Sequence, residues 1–390
     1  MTRFLAAGSR QQVLIVIVAV LGLGNSVLVE AQPARRRSST SGQLKTTDSS
    51  VNRAAAKFMS NGCHVGLSIA VVRETETRFY NYGSTSRNVK DLPSADSVYE
   101  VASVTKTFTG VLAAKAVTER RMDLDGDFRK YLPQPYPNLA FEGYPITLRS
   151  LATHRSGLPR DLPDTDDLYA HPDFERLPYK LIERDSAYDR SRYLRELHTV
   201  RLKSRPGTKE VYSNLGMKVI GFALEVVYNA PFEVLIRQNI LEPLHMSSTG
   251  FVVNAEQGRL VHGYSRGGNA MPYHLRNAGA AYGLYSSTRD MAKYVQWQLN
   301  ESDPVIHLAH SLLYRDTDDG QALIWNVTTK QGSRILWHGG GTFGMTSQVV
   351  LFPDDKEGYV LLANDTCEGT EAAMKDIAIA VHKTLEPKPH

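Results

Sequence analysis

The sequence is poor in cysteine, in net charge and in long apolar runs, and each shortage removes a class of protein. Two cysteines among 390 residues, Cys63 and Cys367, allow at most one bridge, or else two buried free thiols. Lysine plus arginine exceed the acids by only 45 to 41, a formal charge of +4, which argues for neither nucleic acid nor a charged membrane surface. The apolar run Val13–Gly24 is short of the roughly 20 residues a bilayer span needs. No H-E-x-x-H occurs and the pair His307 and His310 has no carboxylate nearby, so no metal is expected. No P-loop and no strand-coupled G-x-G-x-x-G appears, so no nucleotide cofactor is expected either. With 42% hydrophobic and 22% charged residues and no internal repeat, fibres, solenoids and wholly disordered chains fall away.

What is present begins with a leader. Arg3 and Arg10 precede the apolar run, and Val29-Glu30-Ala31 places small residues at signal-peptidase offsets, so residues 1–31 read as a signal peptide cleaved after Ala31. The expected location is periplasmic or secreted, with a membrane anchor only if the segment stays uncleaved. Residues 32–48, rich in Ser, Thr and Arg, read as a flexible leader, with order starting near Ser49.

Strand-like runs gather at the two ends of the remainder: His64–Val72 and Thr77–Gly83 as a hairpin, then Arg334–Trp337, Thr346–Phe352 and Gly358–Ala363. An Ala-rich helix, Thr370–Leu385, closes the chain. Between them lie helical candidates at Val104–Arg121, Arg190–Val200, Leu215–Val227, Pro231–Ile240 and Thr288–Leu299, and a short helix at Val51–Met59 precedes the hairpin. The economical architecture is α+β: an antiparallel sheet of five or more strands from 49–87 and 325–385, with a mainly helical region, 88–324, inserted. Residues 160–190, rich in Asp, Pro and Tyr, read as a surface excursion bordering a site.

Ser103-Val104-Thr105-Lys106 carries the chemistry. Among all lysines only Lys106 has a serine three residues earlier, and the apolar positions that follow place both in the first turn of a buried helix. Positions i and i+3 share a helix face, so the amine reaches the hydroxyl. A lysine among apolar neighbours at a helix N-terminus disfavours its proton and can accept one from serine. Alone, the pair also suits an N-cap serine and a solvated lysine. Tyr212-Ser213-Asn214 leads into a helix, where Tyr212 and Asn214 at i and i+2 point into one cavity as proton shuttle and amide-binding group. Its counterpart Tyr136-Pro137-Asn138 lies in a proline-rich loop. His338-Gly339-Gly340-Gly341 ends a strand and starts a turn, where the Gly341 N–H can join that of Ser103 in an oxyanion hole. The serine-elbow spacing Gly263–Gly267 lacks the helix such an elbow needs and reads as coincidence.

In this order Ser103-x-x-Lys106, Tyr212-x-Asn214 and His338-x-Gly340 resemble the three motifs of the serine penicillin-binding proteins and β-lactamases. The Y-x-N form points to the class C β-lactamase and DD-carboxypeptidase branch. The segments 146–163, 206–214 and 280–295 are similar to AmpH-type penicillin-binding proteins, and the resemblance spans Ser49 to Leu385. It implies a β-lactamase/transpeptidase-like fold and an acyl-enzyme cycle in which Ser103 attacks, Lys106 and Tyr212 carry the proton, Asn214 binds substrate amide and Gly341 helps hold the oxyanion. His338 and Gly340 would contact substrate, and His154 reads as structural. The implied activity is D-alanyl-D-alanine carboxypeptidase/endopeptidase on peptidoglycan peptides, with β-lactams as covalent ligands. A class C-like β-lactamase, an esterase or amidase on small substrates, and a non-catalytic penicillin or peptidoglycan sensor are the alternatives. Many relatives carry Lys-Thr-Gly where this chain has His338-Gly339-Gly340, so a permanent cation for a substrate carboxylate is missing. The resemblance also implies antiparallel first and last strands, and with them a Cys63–Cys367 disulfide.

Overall fold

A computed structural model describes residues 40–252, 259–273, 279–330 and 332–385; the signal segment expected at 1–31 lies outside the described residues. From Gln43 onward the chain is one compact unit. Its centre is a single antiparallel sheet of eight strands: β1 (Gly66–Arg73), β2 (Glu76–Gly83), β3 (Tyr314–Asp316), β4 (Asp319–Gln321), β5 (Asn326–Lys330), β6 (Ser333–Gly341), β7 (Thr346–Phe352) and β8 (Glu357–Ala363). The spatial order is β2-β1-β8-β7-β6-β5-β4-β3, so the chain's two ends meet at β1 and β8 with Leu67 opposite Ala363.

Both faces of the sheet are covered, which explains why its central strands are almost continuously apolar. On one face Leu67, Ile69, Val350 and Leu361 pack against α1 (Thr40–Met59) and the last helix, α5 (Thr370–Leu385). The alternate residues Ala70, Val72, Val349 and Leu362 face the inserted helical region. Each fully buried Leu, Ile or Val contributes about 1.5–3 kcal/mol relative to exposure. That region holds α2 (Thr105–Thr118), α3 (Asn214–Tyr228) and α4 (Thr288–Gln298) in one shared core. Cys63 and Cys367 are joined by a disulfide, Cα–Cα 6.1 Å, beside the β1/β8 seam.

Three expectations need correction. Helix α1 starts at Thr40, inside the segment 32–48 read as a leader, because tertiary contacts supply what its sequence lacks: Asp48 accepts hydrogen bonds from Arg78 and Tyr80 of β2, both 2.7 Å. The sheet extends into the stretch 88–324 through β3 and β4, two strands of three residues with little apolar alternation. The run His338–Gly341 is not the start of a turn: it is strand, pairing with Val349–Thr346 of β7. Its glycines read as loop punctuation but serve close packing. A Cβ on Gly340 would sit 2.7 Å from the Ser103 nitrogen and 2.8 Å from the Val101 carbonyl oxygen.

Candidate active site

Ser103 stands in a single 3₁₀ turn, Ala102–Val104, that runs directly into α2. The residue before it, Ala102, has φ 47°, a left-handed conformation that costs a non-glycine residue on the order of 1 kcal/mol or more and persists only where the surroundings enforce it. Val101 N–H bonded to Leu284 and Gly340 pressed under the turn provide that enforcement. Lys106, one turn on, is fully buried, and its Nζ lies 2.9 Å from Ser103 Oγ and donates to the Ala281 carbonyl at 2.7 Å. Burial holds the amine well below the usual lysine range; the Asp161 carboxylate opposes this, whereas the Arg160 and Lys218 cations reinforce it. Thr109 Oγ1, donating to the Ala280 carbonyl, and Thr105 Oγ1, accepting from Leu284 N–H, lock α2 against the segment carrying Ala281.

Tyr212 and Asn214 arrive from the helical region by a local device. Ser213 is extended (φ −133°, ψ 110°), so its neighbours project to one side and its own side chain to the other. There Ser213 Oγ accepts from Gly216 N–H, capping α3, and donates to the Pro159 carbonyl. His154 Nδ1 accepts from Ser213 N–H, and its ring packs 4.5 Å from that of Tyr212. Burial pushes His154 down to about 3, leaving a neutral buttress, the structural role expected of it. Tyr212 donates to Ser103 Oγ at 2.7 Å. The residue is 36% exposed, yet desolvation around the bonded hydroxyl raises the phenol, which therefore stays protonated at rest. Asn214 donates through Nδ2 to Asp161 Oδ1 at 2.9 Å, while its own Oδ1 is buried and unpartnered.

The third wall is the edge of β6. Pairing with β5 stops at Trp337, so among the described strands the outer edge of His338–Gly341 has no partner. Thr342 N–H bonds Met345, and the alternation of an antiparallel ladder then turns the Gly341 N–H outward, to the same side as the Ser103 turn. Of the residues expected here, Ser103, Tyr212, Asn214 and Gly341 line a cavity of about 690 Å³, together with much of 160–190, including Asp161, Tyr169 and Leu177. His338 and Gly340 are not among its lining residues. They lie behind the Ser103 turn, on the face where a Cβ on Gly340 would meet the Ser103 nitrogen; His338 is buried there, its Nδ1–H donates to the Gly339 carbonyl at 2.7 Å, and burial, followed by the Lys106 charge, lowers it to about 4. The imidazole is neutral and supplies no cation to the cavity.

The decoys resolve structurally. Tyr136 and Asn138 bond backbone carbonyls of 194–200, and Ser265 of the elbow-like spacing donates to Glu175 at 2.9 Å. The sequence reading passed over several cavity residues. Lys218, buried one turn beyond Asn214 on α3, donates to the Tyr193 hydroxyl, which donates to Asp185; its i+4 spacing from Asn214 was the available signal. Gln348, a fully buried amide directly before the apolar run Val349–Phe352 of β7, was another.

Residues 51–383 match the family described as Beta-lactamase. The D-alanyl-D-alanine-carboxypeptidase/endopeptidase AmpH of Escherichia coli K12 is 29% identical over 250 residues, 64% of this chain and 61% of that protein. Protein flp of Staphylococcus aureus MRSA252 is 26% identical over 313 residues, 77% of this chain and 59% of that one. The chain thus spans about three-fifths of the length of these curated relatives. Among solved structures, a class C beta-lactamase superposes with TM-score 0.75 at 20% identity, covering 89% of this chain and 98% of its own. A beta-lactamase/D-alanine carboxypeptidase from Pseudomonas syringae gives 0.73 at 22%, covering 87% and 99%. With its fold shared with both structures and its match running across nearly all the described residues, the chain belongs to the beta-lactamase family of serine hydrolases.

Proposed function

We propose that this protein is an exported serine hydrolase that forms an acyl-enzyme at Ser103 on D-alanyl peptides of the cell wall, as a carboxypeptidase or endopeptidase. The observation that carries the reading is the double engagement of Ser103 Oγ, by the buried Lys106 amine at 2.9 Å and the Tyr212 phenol at 2.7 Å. With the amine neutral, Nζ accepts the Ser103 proton as Oγ bonds to the substrate carbonyl carbon. The oxyanion forms between the N–H groups of Ser103 and Gly341. The carbonyl–nitrogen bond then breaks as the leaving amine takes a proton through Tyr212, and water, deprotonated along the same path, releases the acyl group. The unpartnered Asn214 Oδ1 accepts an amide N–H of the acyl arm.

A second reading, an esterase or amidase, is favoured by the neutral His338, which gives the substrate's terminal carboxylate no cation. One pair of measurements separates them. Ser103→Ala is expected to abolish covalent labelling by fluorescent penicillin and to lower turnover at least about 10⁴-fold. Wild type is expected to release D-alanine from an acyl-D-Ala-D-Ala peptide; cleavage of short-chain esters without D-alanine release would replace the peptidase by the esterase. Labelling that persists in Ser103→Ala would remove the nucleophile altogether.

A further inference from the structure

The end of the cavity beyond Gly341 is built differently from the end that holds Asn214. Gly339 and Gln348 face each other across β6 and β7, and Gln348 Oε1 lies 2.7 Å from the point where a Cβ on Gly339 would stand. A carboxyl oxygen of Glu371, from the first turn of α5, crowds the same point, so only glycine leaves room. Glu371 is exposed as a residue, but its carboxyl is turned inward onto the strand, where partial burial raises it. Gln348 is fully buried in the cavity wall, and neither its Nε2 nor its Oε1 has a hydrogen-bond partner. A buried amide with both ends unsatisfied is costly to the folded protein, and a ligand supplying complementary groups recovers that cost. Lys375, one turn along α5, lies 3.8 Å over the Trp337 ring, and its charge opposes the raising of Glu371.

We propose that Gln348, Gly339 and Glu371 form a subsite that takes a neutral carboxamide of the substrate, a C-terminal amide or an internal peptide group, in preference to a free carboxylate. A side-chain amide pairs with a carboxamide donor to acceptor and acceptor to donor. The planar carboxyl of Glu371 fills the gap above Gly339. A substrate carboxamide of the same shape displaces it, and Glu371, swung into water and ionised, then stands as a like charge against any carboxylate entering the same gap. The proposal deepens the D-alanyl peptide reading and rests on it.

The test uses full-length Ser103→Ala protein, so that peptides remain intact, and calorimetric titration with N-acetyl-D-Ala-D-alaninamide and N-acetyl-D-Ala-D-Ala. The amide is expected to bind at least tenfold more tightly. Adding Gln348→Leu is expected to bring the ratio near one; a ratio of two Kd values on one preparation cancels any loss of folded protein. Adding Glu371→Ala, at an exposed position, is expected to tighten the acid severalfold and so narrow the ratio from the other side. Equal affinities, tighter binding of the acid, or no binding of either peptide overturns the subsite; tighter acid binding lost in Lys375→Met would assign a carboxylate site to Lys375 instead. Failure of the D-alanyl peptide reading shows separately, as absent penicillin labelling and absent D-alanine release in wild type.

Discussion

The two walls of the cavity are built on opposite plans. On the helical side, Ser103 Oγ is engaged by two groups, Lys106 has two oxygen neighbours, and Tyr212 and Asn214 are aimed by a capped helix start behind them. On the sheet side the strand is glycine-rich, its outer edge is unpaired and the Gln348 amide has no partner. One wall is over-determined by contacts already made; the other keeps contacts in reserve. Chemistry needs atoms held in place before substrate arrives, whereas selection needs groups that only the right substrate satisfies. The contrast predicts that changes to Ser103, Lys106 and Tyr212 act on every substrate, whereas changes to groups left unpartnered, Gln348 on the sheet side and Asn214 Oδ1 on the helical side, discriminate among them.

The most severe way to break that contrast is Lys106→Met, expected to lower kcat/KM by about 10³–10⁴-fold on esters and peptides alike. In wild type, kcat/KM should rise with pH as Lys106 loses its proton, and the residual activity of the variant should lack this limb. Stability is expected to move with pH in the same direction as activity. Lys106 is depressed in the folded protein, so below its unfolded value the unfolded chain binds a proton that the folded one does not, and stability rises with pH across that interval. Thermal denaturation of Lys106→Met at pH 6 and pH 9 should show a weaker pH dependence and a higher Tm at the lower pH; an unchanged slope would mean that the buried amine is charged.

Gly340→Ala tests where the walls touch. The added methyl must shift either β6 or the Ser103 turn, with an expected loss of about 10–100-fold in kcat/KM for all substrates and about 1–3 kcal/mol in denaturant unfolding. Full activity in this variant would show that the strand does not set the position of Ser103. Asn214→Ala should cost about tenfold or somewhat more on substrates with an amide N–H in the acyl arm and much less on a simple acetyl ester; equal losses on both would reassign Asn214 to holding Asp161. The smallest effect belongs to His338→Gln: because the imidazole is neutral above about 4 and does not line the cavity, kcat/KM should stay within about threefold between pH 6 and 9. A displaced acid limb would return His338 to the site.

Legibility in the sequence followed the range of the interactions. Ser103 and Lys106 share one helical turn, and the Tyr212 and Asn214 spacing is a local extended segment, so both could be read from neighbours in the chain. The central strands and α5 were legible because burial on both faces makes their apolar runs continuous. The sheet-side wall was not. Glycines at 339–341 carry the composition of a turn, and only the approach of the Ser103 turn and Glu371 shows why a strand needs them. Glu371 and Lys218 acquire meaning from groups far away in sequence, Gln348 from its burial beside Gly339, and Asp48 of α1 from Arg78 and Tyr80 of β2.

The meeting of β1 with β8 also sets the order of events during synthesis. The hairpin made early can lie against α1 but lacks its sheet neighbour until β8, near Cys367 and 304 residues after Cys63, has been translated. The serine at 103 likewise waits for Gly341 before an oxyanion can be held from two sides. A nascent chain therefore carries Ser103, the proposed nucleophile, apart from Gly341 through most of its synthesis and closes its longest loops last.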